Sequence, residues 1–142
     1  MYRDILLPID LTDPSSWHKA LPVALSFCRS FGARLHVVTV VPDFGMAIVG
    51  QYFPESFEKQ MIEETRKALH AFVSEHVPAE VPVQHVVAHG TVYQEILRKA
   101  NEIGVDLIVI GSHRPELRDY LLGPNAARVV RHAEMSVLVV RE

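Results

Sequence analysis

The chain has 142 residues, 49% hydrophobic and 22% charged, with a net charge of −3. That length and mix describe one folded domain with its own core, and they exclude disordered, fibrous and low-complexity chains. An acidic balance argues against a general nucleic-acid surface, a lone cysteine (Cys28) excludes an internal disulfide or a thiolate metal cluster, and no apolar run reaches the roughly 18 residues of a membrane span.

The chain opens MYRDILLPID and enters a strand at once, with Asp4 and Pro8 interrupting it, unlike a secretory leader. With so little cysteine, this places the protein in a reducing cytoplasm. Residues 5–9 form a short apolar run, as a buried parallel strand does. Residues 10–14 form a turn, with Asp13 as helix N-cap and Pro14 at the first helical position. Trp17, Leu21, Ala24, Leu25, Cys28 and Phe31 then recur at helical spacing as far as Gly32. Pro22 inside this stretch predicts a kink or a shifted start. Cys28 falls on the apolar face and reads as core rather than nucleophile. Residues 35–41 (LHVVTVV) are a second, β-branched strand. Residues 42–53 are irregular, hold Gly45 and Gly50, and are long enough to cover something.

A helix is expected over residues 54–76. Phe57, Met61, Thr65, Leu69, Phe72 and Val73 lie along one stripe, and Glu58, Lys59, Glu63, Glu64, Arg66 and Lys67 face away. Residues 81–88 predict a third strand and Gly90 a turn. Val92, Ile96, Ala100 and Ile103 mark a third helix, ended by Gly104. Residues 105–110 (VDLIVI) are a fourth strand, 111–123 a loop, 125–132 a short helix and 137–140 a last strand. Strands separated by helices need crossover connections. The expected fold is therefore α/β: an open five-stranded parallel sheet with helices on both faces, as one domain over residues 1–142.

Such a sheet binds ligands beyond the carboxyl ends of its strands. The candidate segments are Pro8-Ile9-Asp10, Val40-Val41-Pro42 and the chain from Gly111 onward. The last is the most informative. Gly111 follows a buried strand and Gly123 precedes a helix, so backbone N–H groups and a helix dipole face the same space. Residues 111–132 carry Arg114, Arg118, Arg128 and Arg131 against Glu116 and Asp119, a balance of +2 that leaves −5 on the rest of the chain. A basic glycine-bearing loop on an acidic protein points to a phosphate ligand; a surface loop of paired arginines is the alternative. GxxxxGK[ST] and GxGxxG are both missing, which excludes a P-loop NTPase and a dinucleotide Rossmann domain. Eight histidines invite a metal, but His36, His89, His113 and His132 show no HxxxH or HExxH spacing among themselves. Ser112 beside His113 lacks the GxSxG elbow of a serine hydrolase.

ILLPID, LHVVTVVP, HGTVYQEIL, VDLIVIGSHR and the closing LLGPNAARVVRHAEMSVLVVR together resemble the universal stress protein family, in its single-domain bacterial form, over the whole length. The resemblance implies a Rossmann-like sheet of order 3-2-1-4-5, related to the adenine nucleotide alpha hydrolases. It also implies ATP as ligand, with or without Mg²⁺. Pro8, Ile9 and Val40 then line the adenine slot, and Asp10 contacts the adenosine. Ile110, Gly111, Ser112, His113, Arg114, Gly123, Pro124 and Asn125 complete the site. ATP-binding members carry G-x-x-G, nine residues, then G-[ST]. Here Arg114 replaces the second glycine, the spacer from Pro115 to Leu122 has eight residues, and Pro124 replaces the Ser/Thr. A family subset with a similar His-Arg-Pro loop binds ATP, and the Arg114 guanidinium suits a phosphate. Pro124 removes a backbone donor and a hydroxyl, at about 1.5–3 kcal/mol for each hydrogen bond to a charged group.

The resemblance further implies a homo-oligomer paired through the apolar edge strand Val137–Val140, which alone would be an aggregation liability. The expected function is a nucleotide-responsive stress-response regulator. It would act on an unidentified protein partner, away from nucleic acid and membrane, with at most slow ATP hydrolysis and no catalytic or resident metal residues. The alternative is a nucleotide-free dimeric interaction module. An ATP-activating enzyme would show SGGxDS or HIGH, and neither is present. Arg128 and Arg131 read as the solvated face of the last helix.

Overall fold

The computed structural model describes residues 1–42, 55–112 and 123–141. Its strands are β1 (Asp4–Pro8), β2 (Arg34–Pro42), β3 (Val83–Gly90), β4 (Leu107–Ser112) and β5 (Ser136–Arg141). Its helices are α1 (Ala20–Phe31), α2 (Glu55–His76), α3 (Val92–Ile103) and α4 (Pro124–His132), with a 3₁₀ turn at Pro14–Ser16. The strands form one sheet in the order β3-β2-β1-β4-β5, and every pairing is parallel.

β1 sits in the middle, which explains its unbroken apolar run. Ile5, Leu6 and Leu7 are each fully buried, but they serve different cores. Ile5 and Leu7 join Leu21, Leu25 and Cys28 of α1 and Leu69, Phe72 and Val73 of α2. Leu6 points the other way, to Ile96 and Ala100 of α3 and Ala126 and Val129 of α4. A strand covered on both faces has no polar side, so periodicity gives way to continuous hydrophobicity. Burial pushes the Cys28 thiol up to about 11, which keeps it protonated in this core.

The connection after β1 differs from a single helix running on from Pro14. Asp13 caps only the short turn, accepting from the Ser15 N–H, and α1 begins at Ala20. Pro22 then falls in the first turn, where its missing N–H has no intrahelical partner to lose. The proline therefore shifts the start rather than kinking the helix. α1 and α3 end alike. Gly32 and Gly104 adopt φ of +66 and +82, and the N–H groups of each glycine and the residue after it reach back to Cys28 O and Ala100 O.

Polar groups tie the strands together at their amino-terminal ends. Asp106 accepts from the Arg3 and Asp4 N–H groups at 2.9 and 3.1 Å. The buried His36 ring spans Asp4 Oδ1 at 2.9 Å and Gln84 Oε1 at 2.6 Å, linking β1, β2 and β3. A histidine pair joins α2 to β3. The His70 and His85 rings meet at 4.8 Å, and His85 Nε2 is buried without a hydrogen-bond partner.

Burial, and secondarily the His70 charge, hold the His85 imidazole below its ordinary range. As pH falls below about 6.5, the unfolded chain takes up a proton at this position that the folded chain refuses. Stability is therefore lost from the ordinary imidazole value down to the lowered one, and is fully present above both. We expect the melting temperature to fall between about pH 7 and pH 5, and to fall less steeply in His85→Leu, measured by thermal denaturation across that range.

Candidate functional site

A cleft of about 690 Å³ opens beyond the carboxyl ends of β1, β2 and β4, where strand order reverses. Its walls come from both faces of the sheet: Met61, Glu64, Thr65 and Ala68 of α2 on one side, Val92 and Ile96 of α3 on the other. The two faces meet here because the strands stop and the helices project past them.

The floor is the turn that follows β1. The Ile9 N–H donates to Val38 O at 2.8 Å, carrying the parallel pairing one step beyond the strand. Asp10 then folds the chain back on itself. Its Oδ1 accepts from the Thr12 N–H at 2.9 Å and the Thr12 hydroxyl at 2.7 Å. The Asp10 N–H donates to Ser16 Oγ at 2.8 Å, and the Ser16 hydroxyl donates to Asp13 O at 2.7 Å. Asp10 is thus a turn-forming aspartate whose exposed carboxylate also lines the cleft, so the capping and site readings hold together.

Gly111 presses on this turn. A Cβ at Gly111 would lie 2.6 Å from Ser16 O and 3.4 Å from Ser15 O. Only glycine lets the end of β4 and the turn after β1 come this close. The next residue, Ser112, is buried and accepts the Gly123 N–H at 3.0 Å, which fastens the start of α4 to the end of β4.

α4 begins with Gly123 as N-cap, without a side-chain cap, and with Pro124 as its first residue. Its first intrahelical bond runs from the Ala127 N–H to Gly123 O at 2.9 Å. The N–H groups of Asn125 and Ala126 precede that bond, and both residues line the cleft. They and the helix dipole make this end attractive to an anion. The other end is apolar, with Pro8, Ile9, Val38, Val40 and Val41. Charged side chains on the described lining are Asp10, Asp13 and Glu64, all carboxylates.

Of the residues expected at a site, Pro8, Ile9, Asp10, Val40, Ile110, Gly111, Ser112, Gly123, Pro124 and Asn125 all line this one cleft. His113 and Arg114, the rest of the loop to Leu122 and residues 43–53 of the irregular segment lie outside the described residues, while Pro42, expected to begin that segment, ends β2 and pairs with Gly90. Arg128 rests over the Tyr93 ring at 5.1 Å, and both it and Arg131 are exposed away from the cleft lining, as a solvated face requires. Sequence reasoning missed Thr12, Ser16, Thr39, Glu64 and Thr65 as cleft residues. Thr65 sits within the apolar stripe of α2 and donates to Met61 O at 2.8 Å, a pattern that signals a helix and not a site. Asp-Pro-Ser-Ser does signal the Ser16 turn, since serine after aspartate fastens turns.

Gly111→Ala forces the turn after β1 away from β4. We expect it to destabilise the fold by about 1–3 kcal/mol, read as a lowered denaturation midpoint. Gly104→Ala, with open space around its Cβ, should cost only about 1 kcal/mol for the left-handed backbone.

The description "Universal stress protein family" matches residues 1–141. Universal stress protein G of Escherichia coli O157:H7 is 32% identical over 143 residues, covering 99% of this chain and all of the relative. Universal stress protein UspA of Lactobacillus plantarum shares the fold with a TM-score of 0.73 at 21% identity, over 99% of this chain and 98% of its own. A universal stress protein of Archaeoglobus fulgidus, solved in complex with dAMP, aligns at a TM-score of 0.64 and 20% identity over 97% of both chains. The strand order and the full-length match agree, and the chain belongs to the universal stress protein family.

Proposed function

We propose that the chain is an adenine-nucleotide-binding regulator, with ATP in the cleft and a second copy of itself across β5. The observation that carries the reading is the cleft's polarity. An apolar slot of Pro8, Ile9 and Val40 suits a base, Asp10 suits a ribose hydroxyl, and the N–H groups of Asn125 and Ala126 suit a phosphate. The volume of about 690 Å³ suits a nucleotide. The dAMP complex of the Archaeoglobus relative supports the ligand class. Any Mg²⁺ in this reading is carried on the phosphates.

Hydrolysis is at most slow in this reading. Asp10 and Asp13 spend their Oδ1 atoms on turn donors. Occupancy would instead alter which protein partner is bound, in the cytoplasm. No described helix is long and apolar enough to cross a membrane. Dimerisation rests on β5, which pairs with β4 on one side only and leaves Val137, Leu138, Val139 and Val140 half-buried.

Calorimetric titration with ATP, with and without Mg²⁺, tests the ligand. Binding should appear between about 0.1 and 1 mM, and Gly123→Val should weaken it at least about tenfold by placing a branched side chain at the α4 start. No binding at millimolar ATP would leave the nucleotide-free interaction module in its place. Sedimentation equilibrium tests the assembly and should return at least twice the 16.0 kDa chain mass.

A further inference from the structure

Resting on the nucleotide reading above, we infer that Thr39 is a recognition residue whose hydroxyl hydrogen-bonds the adenosine part of the ligand. β2 is apolar at Leu35, Val37, Val38, Val40 and Val41, and Thr39 interrupts that run. It is 4% exposed, and a hydroxyl so far from solvent ordinarily has a partner inside the protein. Three polar side chains are buried among the described residues. His36 meets Gln84 and Asp4 through its two ring nitrogens, and Ser112 Oγ accepts the Gly123 N–H. The third, Thr39, makes no side-chain hydrogen bond among the described residues.

The cleft lining repeats the contrast. Thr12 and Ser15 donate to the Oδ1 atoms of Asp10 and Asp13 at 2.7 Å. Ser16 donates to Asp13 O at 2.7 Å and Thr65 to Met61 O at 2.8 Å. Those hydroxyls are spent locally, and the Thr39 hydroxyl is not. Its position says what it meets. Pro8 pairs with Val38, and the Ile9 N–H reaches Val38 O. Thr39 is therefore the first residue of β2 past that pairing, beside the slot of Ile9 and Val40. Strand alternation sets it on the side of Leu35 and Val37, under α2, whereas α4 packs on the other face. A base or ribose seated beyond β1 comes within its reach, and a hydroxyl can donate to it or accept from it. Strand propensity does not demand the hydroxyl, since valine has the same branched shape.

Titrations of AMP and ATP into the full chain, with thermal melts of each variant, test this. Thr39→Val should weaken both nucleotides by the same factor, about 3–10-fold, the worth of one hydrogen bond. It should melt no lower than wild type, because it removes a buried hydroxyl that the fold leaves unpaired. Thr39→Ser keeps the hydroxyl and loses a buried methyl. It should bind at least about threefold tighter than Thr39→Val while melting below it. Affinity and stability then move in opposite directions between the two variants, which a purely structural threonine does not produce. Binding by Thr39→Val within about twofold of wild type overturns the inference. So does a loss on ATP well beyond that on AMP, which places the hydroxyl on the phosphate chain. A Thr39→Val melt below wild type also overturns it, by showing that the hydroxyl serves the fold. Failure of folded wild type to bind either nucleotide overturns the nucleotide reading itself. That result is distinct from a wild type that binds and a valine variant that binds equally well.

Discussion

Between Gly111 and Ser16, two backbone segments come closer than any side chain permits, and the cleft depends on that approach. A methyl group at Gly111 would meet Ser16 O at 2.6 Å. The approach sets the turn after β1 directly against the end of β4. Ser16 in turn holds the Asp10 N–H, and Asp10 holds both polar hydrogens of Thr12. One atom's worth of space therefore propagates through three residues to the carboxylate on the cleft floor. The same strand end anchors α4 through Ser112 and Gly123. Neighbouring residues of β4 thus position both the floor and the anion-attracting end of the site.

Much of the fold was legible because burial drives it. β1 and β4 are continuous apolar runs since both faces are covered, and α3 shows a clean stripe since only one face is. The ends of the strands were less legible. β3 runs to Gly90 and β4 to Ser112, past the last strongly apolar residue in each. Pairing of Pro42 with Gly90 and of Ser112 with Arg141 sets those ends, and hydrogen-bond register leaves little trace in hydropathy. The start of α1 was ambiguous for a related reason. Pro22 forbids one helix from Pro14 onward but does not say where the second begins; packing of Ala20 and Leu21 decides that.

The site divided along the same line. Residues adjacent in sequence to a strand end, such as Asp10, Gly111 and Gly123, announced themselves through turn chemistry and the carboxyl-edge rule. Glu64 and Thr65 did not. They reach the cleft from the middle of α2, because a helix crossing over the sheet overhangs its edge. No local spacing encodes that overhang; it follows only from the angle and length of the crossover.

The histidines show how a residue type misleads when read by count. His36 is buried where three strands need a polar bridge, and it joins Asp4 to Gln84 across β2. His76 packs at 4.7 Å from Trp17 and 4.6 Å from Phe72, where its ring serves as an aromatic surface. His89 reaches Glu58 at 3.1 Å and ties β3 to α2. In each case the ring offers a flat apolar body with a polar rim, suited to a junction where neither a leucine nor a lysine fits. These three histidines serve packing and bridging, and the chemistry proposed for the site rests instead on backbone N–H groups, a turn aspartate and the apolar wall of the cleft.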